Sequence, residues 1–116
     1  MNAADELVFH PLKKIEVIVR GERTGFVRDL LERSGATGYT LLRDVAGMGH
    51  HGFHEGKLLY NDQASVVMFI AVGSEAVIRR VAAGLKPIFE KQSGVMFISD
   101  THVVRLEHFV GAGAAD

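Results

Sequence analysis

Residues 65–85, SVVMFIAVGSEAVIRRVAAGL, contain the pattern that decides the fold. Residues 65–72 are almost wholly apolar, which predicts a central strand covered on both faces, or on one face and by another subunit. Ser74 is well placed to cap a helix, and Glu75 is favourable in its first turn. The apolar residues that follow recur at helical spacing and predict one buried stripe, formed by Val77, Ile78, Val81, Ala82 and Leu85. We therefore expect a strand that leads directly into an amphipathic helix.

The same order of elements occurs nearer the start of the chain. Residues 14–20 alternate between polar and apolar, and their β-branched residues predict a half-buried strand. Thr24 can cap a helix over residues 25–34, and Gly35 fits the position after its last turn. Residues 39–45 predict a second strand. The chain thus contains two strand–helix–strand halves.

The last part of the chain predicts two short strands. Pro87 should end or kink the second helix, because an interior proline loses a backbone donor and clashes with the preceding turn. Residues 95–99 and 102–106 are then expected to be strands, separated by Asp100 and Thr101. The whole order predicts an α+β fold, a ferredoxin-like βαββαβ sandwich with a large loop between the second and third strands and an extra C-terminal strand.

These elements divide the chain into an N-terminal extension (1–11), a folded domain (12–106, with its loop at 46–64) and a flexible C-terminal tail (107–116). Both helices of a ferredoxin-like fold cover the same face of the sheet. The opposite face is also apolar here, since it must carry Leu41 or Leu42, Met68 or Phe69, and Val103 or Val104. A sheet with two apolar faces and helices on one needs a partner, so we expect a homo-oligomer.

Composition narrows the function classes. With 116 residues, 47% of them apolar, the chain is long enough for one domain with its own core. A formal net charge of −1 argues against nucleic acid as a partner, and the absence of cysteine excludes disulfides and a thiol nucleophile. No apolar run approaches a membrane span, and the N-terminus lacks the basic flank of a signal peptide, so a cytoplasmic location is expected. No catalytic triad or paired catalytic carboxylates are recognisable, so we do not expect an enzyme.

The large loop, AGMGHHGFHEGKLLYNDQ at residues 46–63, is rich in glycine and histidine. A loop of this length in a small domain is usually functional or disordered, and we expect one that responds to a ligand. Its G-x-G-x-x-G spelling does not indicate a dinucleotide fold, because no helix is predicted to follow. Successive N–H groups in a glycine turn can instead form a nest for phosphate or bicarbonate; the alternative is a flexible hinge. The predicted anion site consists of Gly49, His50, His51 and Gly52.

The loop histidines allow a second interpretation. His50, His51 and His54 could bind a metal, since neutral imidazole is a common ligand. The lack of cysteine, with only Glu55 nearby, argues against a closed four-ligand site within one subunit, although an oligomer could assemble one. Hydrogen bonding to an anion and simple exposure to solvent are the other possible roles.

Three runs carry a resemblance to a known family: ATGYTLLRDVAGMGHHG, the loop that ends in ASVV, and SGVMFISDTHVVRL. Together they resemble the PII signal-transduction superfamily over residues 12–106. The resemblance implies a homotrimer with adenine nucleotides bound in the clefts between subunits. It also implies a large loop, the T-loop, that changes conformation to engage a partner. Members are regulators rather than enzymes, and no cofactor or resident metal is implied.

The resemblance also implies a nucleotide site, formed by Gly47, Met48, Gly49, His50, Lys91, Ser93, Gly94 and Arg105. The arginine and glutamine that orthodox members carry after G-x-G are absent, and Glu107 stands where a second basic residue is expected. Arg105 matches a phosphate-contacting arginine, although a structural ion pair with Asp100 or Glu107 is equally compatible with the sequence. Lys91 and Arg43 are weaker candidates because both also suit solvated surface.

These departures are typical of PII-like proteins linked to inorganic carbon. That branch implies ADP or AMP, with ATP less favoured, and bicarbonate as ligands. It also implies a bicarbonate transporter or a carboxysome component as partner. The alternative is a trimeric metal-binding protein resembling the CutA proteins, with the loop histidines as ligands.

Overall fold

The computed structural model describes residues 2–46, 48–49, 52–53 and 65–111. Its main sheet has four antiparallel strands, β1 (His10–Arg20), β2 (Thr40–Val45), β5 (Val66–Gly73) and β6 (Val95–Val103), in the order β2-β5-β1-β6. The two-residue strands β3 (Met48–Gly49) and β4 (Gly52–Phe53) pair separately. The helices are α1 (Thr24–Ser34), α2 (Glu75–Phe89) and the short α3 (Leu106–Val110), and 3-10 turns occupy Ala3–Glu6 and Gly21–Arg23.

Alternation along the two central strands places the core on one face of the sheet. Ile15, Val17 and Val19 of β1 are buried, and so are their neighbours on β5, Val67, Phe69 and Ala71. The apolar stripes of α1 and α2 pack on this face, with Val27, Leu30, Leu31, Ile78, Val81 and Leu85 completing the core. Both predicted βα units and the ferredoxin-like order are confirmed.

The opposite face of the sheet is apolar and is not covered by α1 or α2. Strand register aligns Leu42, Met68, Ile18 and Val95 in one row across all four strands. Ile70 and Phe97 lie in the next row on either side of Glu16, and Phe97 is 55% exposed. We call the six apolar residues of these two rows the apolar outer face. Of the pairs that the sequence left open, Leu42 and Met68 point outward, while Leu41 and Phe69 point to the core.

Two predicted boundaries near the C-terminus are wrong. Residues 95–103 form one continuous strand because Asp100 and Thr101 stay paired with Lys13 and Leu12 of β1. The described residues contain no separate strand at 102–106. A short helix, α3, begins at Leu106 instead, just before the tail expected at 107–116. Residues 107–110 are therefore helical, and residues 112–116 lie outside the description.

Pro87 lies inside α2 and does not end the helix. The helix continues to Phe89, and Glu90 N–H still donates to the Lys86 carbonyl at 3.2 Å. A proline conflicts with the turn before it, while the residues after it keep their own donors. Half-buried Phe89 packs against the core and helps to hold the helical turn beyond the proline.

Candidate functional site

The base of the large loop lies at the end of the sheet where β1 stops and β5 starts. Val45 pairs with Val66, which joins the two ends of the loop to each other, and Gly21 N–H donates to the Ser65 carbonyl, which joins the second end to the turn before α1. Thr24 Oγ1 donates to the Gly21 carbonyl at 2.7 Å and closes that turn. The loop is thus anchored on rigid elements.

A pocket of 240 Å³ lies at this base, lined by Gly21, Glu22, Thr24, Arg43, Asp44, Ser65 and Val67. Arg43 and Asp44 occupy a bulge in β2, where the pairing with β5 shifts between Leu42 and Val45. Asp44 has a φ of 57°, a left-handed conformation that residues other than glycine rarely adopt. Among these lining residues, the sequence indicates only Arg43 as a candidate for ligand binding. The sequence signal at the bulge is the pair of adjacent charged residues in β2, Arg43 and Asp44.

The start of the loop forms a small hairpin. Met48 pairs with Phe53, and Gly49 pairs with Gly52 directly opposite. The sequence analysis does not predict this pairing. Of the predicted anion and nucleotide residues in the loop, Met48, Gly49 and Gly52 belong to this hairpin, whereas Gly47, His50 and His51 lie outside the described residues.

The connector after α2 lies at the same end of the sheet. Gln92 N–H donates to the Ile88 carbonyl at 2.9 Å, and Val95 then pairs with Ile18 near the end of β1. Gly94 has a φ of 156°, and an added Cβ would lie 2.6 Å from Cε1 of Phe89. Lys91 is exposed, and its side chain contacts no hydrogen-bonding or charged partner within the described ranges. Lys91, Ser93 and Gly94 are thus grouped near the loop base.

Arg105 lies at the opposite end of the sheet. It follows β6, whose last residue, Val103, pairs with His10 at the start of β1. Val103 therefore lies eight residues from Val95 along β6, roughly 27 Å at the usual rise of a strand. A single subunit does not bring Arg105 together with Lys91, Ser93 and Gly94. A site that uses all four needs a second subunit.

The described part of the chain contains no ion pair between Arg105 and Asp100 or Glu107, the structural role that the sequence left open. Asp100, one of its two possible partners, is engaged by Lys13, whose Nζ donates to Oδ1. The hydrogen bond from Lys13 and its charge lower the pKa of Asp100, and the same hydrogen bond raises the pKa of Lys13. Arg105 is exposed, and no ion pair joins its guanidinium to Glu107 or another described acid.

The described residues contain neither a helix that could span a membrane nor a metal-binding cluster. The longest described helix has 15 residues, fewer than a bilayer span requires. Within residues 2–46 and 65–111, histidine and acidic side chains form no group of three that would hold a metal ion. The three loop histidines, His50, His51 and His54, lie outside the described residues.

The profile of the family "Nitrogen regulatory protein P-II" matches residues 12–108. The chain therefore belongs to the P-II family of regulatory proteins, and the resemblance found in the sequence is confirmed. No curated protein sequence matches it.

Among solved structures it is similar to CPII, a nitrogen regulatory PII-like protein from Thiomonas intermedia K12, in a complex with ADP, AMP and bicarbonate. The two are 39% identical over 89% of this chain and 97% of CPII, with a TM-score of 0.82. The apo form of CPII matches at 35% identity over 85% of this chain and 98% of that chain, with a TM-score of 0.70. A PII-like signaling protein from Thermus thermophilus shares the fold at 21% identity, covering 88% of this chain and 98% of its own, with a TM-score of 0.73.

Proposed function

We propose that this protein is a homotrimeric PII-like regulator that binds ADP or AMP in the clefts between subunits and senses bicarbonate through its large loop. The observation that carries the proposal is the 39% identity to CPII over 97% of that chain, because CPII was solved with ADP, AMP and bicarbonate. In the proposed assembly residues 12–106 form the binding unit, and residues 1–11 and 107–116 flank it. A cytoplasmic location suits the proposed nucleotide ligands.

The layout of the site residues supports binding between subunits. Lys91, Ser93 and Gly94 lie near the loop base of one subunit, and Arg105 lies at the far end of the same sheet. A neighbouring copy can supply Arg105 to the cleft if the sheets meet through the apolar outer face. The oligomer and the nucleotide site therefore depend on each other.

The charges proposed for the cleft favour nucleotides with few phosphates. Lys91 and Arg105 are its cations, and Glu107 lies two residues from Arg105. An additional phosphate would bring charge that this set does not neutralise, so ADP or AMP should bind at least as well as ATP. The bicarbonate would lie against backbone N–H groups of Gly49 and Gly52, with His50 or His51 adding a donor. The regulated process would be inorganic carbon uptake or carboxysome function, through a bicarbonate transporter or a carboxysome component.

Calorimetry on the purified full chain tests the ligands. ADP, AMP and ATP are titrated separately, with and without bicarbonate at constant pH, and zinc is titrated alone. We expect ADP or AMP to bind without zinc and bicarbonate to tighten that binding. Zinc binding with no nucleotide binding would instead support the metal-binding alternative. ATP binding far tighter than both ADP and AMP would contradict the proposed nucleotide choice.

Arg105→Ala tests the residue assignment. Loss of one charge-assisted phosphate contact should weaken ADP binding about tenfold or more. Arg79→Ala is the matched control, because Arg79 is an exposed arginine on α2 paired with Glu75 rather than with the cleft. Equal affinity of Arg105→Ala and the wild type would remove Arg105 from the site.

Limited trypsin digestion tests the loop. Lys57 offers a cleavage point inside residues 46–64. If nucleotide and bicarbonate act through the loop, cleavage after Lys57 should slow with ADP and slow further when bicarbonate is added. Equal cleavage rates with and without both ligands would mean that the loop does not sense them.

A further inference from the structure

The short helix α3 is unable to hold its own position. It has five residues and follows Arg105 directly. Its internal bonds include His108 N–H to the Arg105 carbonyl at 3.2 Å and Gly111 N–H to the Glu107 carbonyl at 2.9 Å. Isolated helices of this length are unstable in water because nucleation is costly. The position of α3, and of the residue that leads into it, must therefore be set by other elements.

One contact that sets this position comes from the link between α1 and β2. Thr37 Oγ1 donates to the His108 carbonyl at 2.9 Å and joins residues that are 71 positions apart in the chain. His108 lies in the last turn of α3, and no residue of the helix lies four positions beyond it to bond its carbonyl. Half-buried Phe109 and Val110 add apolar contact, and α3 packs against β5. The Thr37 hydroxyl thus provides a directional bond at the end of a helix that apolar contact alone would leave free to shift.

Thr37 is exposed, but the residues on both sides of it are held by contacts with other elements. On one side, Ala36 N–H donates to the Leu31 carbonyl at 3.0 Å, and Arg80 Nε donates to the Ser34 carbonyl at 3.0 Å. On the other side, the Tyr39 ring packs 5.3 Å from the ring of Phe69, and the Tyr39 hydroxyl accepts from Arg28 Nε at 2.6 Å. The link is therefore fixed both to the helices and to the core, and it can serve as a rigid anchor.

Arg105 has no anchor of its own beyond the backbone. Its side chain is exposed and makes no hydrogen bond or ion pair with the described residues, so its direction depends on where α3 begins. We propose that Thr37 is a positioning residue: through the His108 carbonyl it fixes α3 and so directs Arg105 toward the nucleotide phosphates. This inference rests on the proposed function and assigns a role to a residue that does not itself touch the ligand.

A double-mutant cycle with ADP tests the proposal. The variants are Thr37→Val, which keeps the shape and removes the donor, Thr37→Ser, which keeps the donor, Arg105→Ala, and Thr37→Val combined with Arg105→Ala. ADP affinity is measured by calorimetry, and thermal melting confirms that each variant is folded. We expect Thr37→Val to weaken ADP binding about three- to tenfold and Thr37→Ser to stay within about twofold of the wild type. The double variant should bind like Arg105→Ala, because both changes act on one contact.

Each other result has one meaning. If Arg105→Ala weakens binding and Thr37→Val does not, the positioning role is wrong and the proposed function stands. If the two losses multiply in the double variant, Thr37 acts independently of Arg105 and the role is again wrong. If Arg105→Ala binds ADP like the wild type, the assignment of Arg105 under the proposed function fails first and the positioning role fails with it.

Discussion

Gly94 shows how one backbone angle can decide a residue type. Its φ of 156° disfavours side chains, and a Cβ there would meet Phe89 at 2.6 Å and the Ile18 carbonyl oxygen at 3.2 Å. The family resemblance predicted Gly94 as a nucleotide-binding residue. The structure supplies a conformational reason for glycine that does not depend on any ligand.

We therefore expect Gly94→Ala to lower the free energy of unfolding by about 1–3 kcal/mol, because it combines backbone strain with overpacking. Urea denaturation of the ligand-free protein measures the change. Gly38→Ala is the control, since no atom lies within 4 Å of the Cβ that would be added there. Equal destabilisation by both substitutions would show that the strain argument is wrong.

The pair Lys13–Asp100 predicts a pH dependence at the end of β6. Because folding lowers the pKa of Asp100, the ionised carboxylate stabilises the fold at pH values above its ordinary pKa of 3.8. This contribution is lost as the pH falls through the lowered pKa. Because folding raises the pKa of Lys13, its ammonium group stabilises the fold fully at pH values below its ordinary pKa of 10.5. This contribution is lost as the pH rises through the raised pKa. The pair therefore stabilises the fold between these limits.

Asp100→Asn should be less stable than the wild type at neutral pH, and the difference should vanish once the pH falls well below 3.8. The effect will be small because the Asp100 side chain is 80% exposed. Urea denaturation over a pH series measures it, with Asp29→Asn on α1 as an exposed control. A difference that persists unchanged in acid would mean that the substitution acts through something other than charge.

Among the helices, α2 is the one whose start the sequence predicted correctly to the residue. Ser74 accepts a hydrogen bond from Val77 N–H at 3.2 Å, as a helix N-cap does, and is 5% exposed. Ser74→Ala should cost about 1 kcal/mol of stability. Ser74→Asp should retain most of the stability that Ser74→Ala loses. Ser99→Ala, at an exposed position of β6, should change the stability little. Chemical denaturation that fails to separate Ser74→Ala from Ser99→Ala would contradict the capping role.

The elements that the sequence missed were decided by tertiary pairing. Asp100 and Thr101 read as a break in the strand, yet β1 extends back to His10 and pairs with them. The sequence did not predict this extension, because Pro11 and the polar residues near it give no strand pattern. α3 and the β3–β4 hairpin are also too short to produce a periodic signal. Periodicity identified the long elements, whereas the short ones depend on contacts with distant residues.

At the scale of the whole molecule, the sequence indicated which residues belong to the candidate site but not where they lie. Lys91, Gly94 and Arg105 are close in sequence. The register of β6 on β1 shows that the length of β6 separates Arg105 from the other two residues. The contact from Thr37 to His108 could not be predicted, since the two residues are 71 positions apart and His108 lies outside the runs that carry the resemblance. A resemblance transfers residue types, while distances require the fold.

The apolar outer face leads to the prediction on assembly. Met68 and Phe69 are adjacent in β5, but Met68 lies on the outer face and Phe69 is a core residue with 1% exposure. A lysine at Met68 would keep its charge in water in a single subunit and would bury it only in the oligomer. A lysine at Phe69 would be buried in every state. Burying an unpaired charge costs several kcal/mol, so the two substitutions should fail in different ways.

We expect Met68→Lys to yield a folded monomer and Phe69→Lys to unfold the chain. Light scattering coupled to size exclusion gives the mass, and far-UV circular dichroism reports the fold. The wild type should elute as a trimer at micromolar concentration, and a wild-type monomer would remove the basis of the proposed cleft. If Met68→Lys stays trimeric, the subunits meet through another surface. Folded, monomeric Met68→Lys should also bind ADP more weakly than the trimer, because Arg105 and Lys91 would then stay at opposite ends of one sheet.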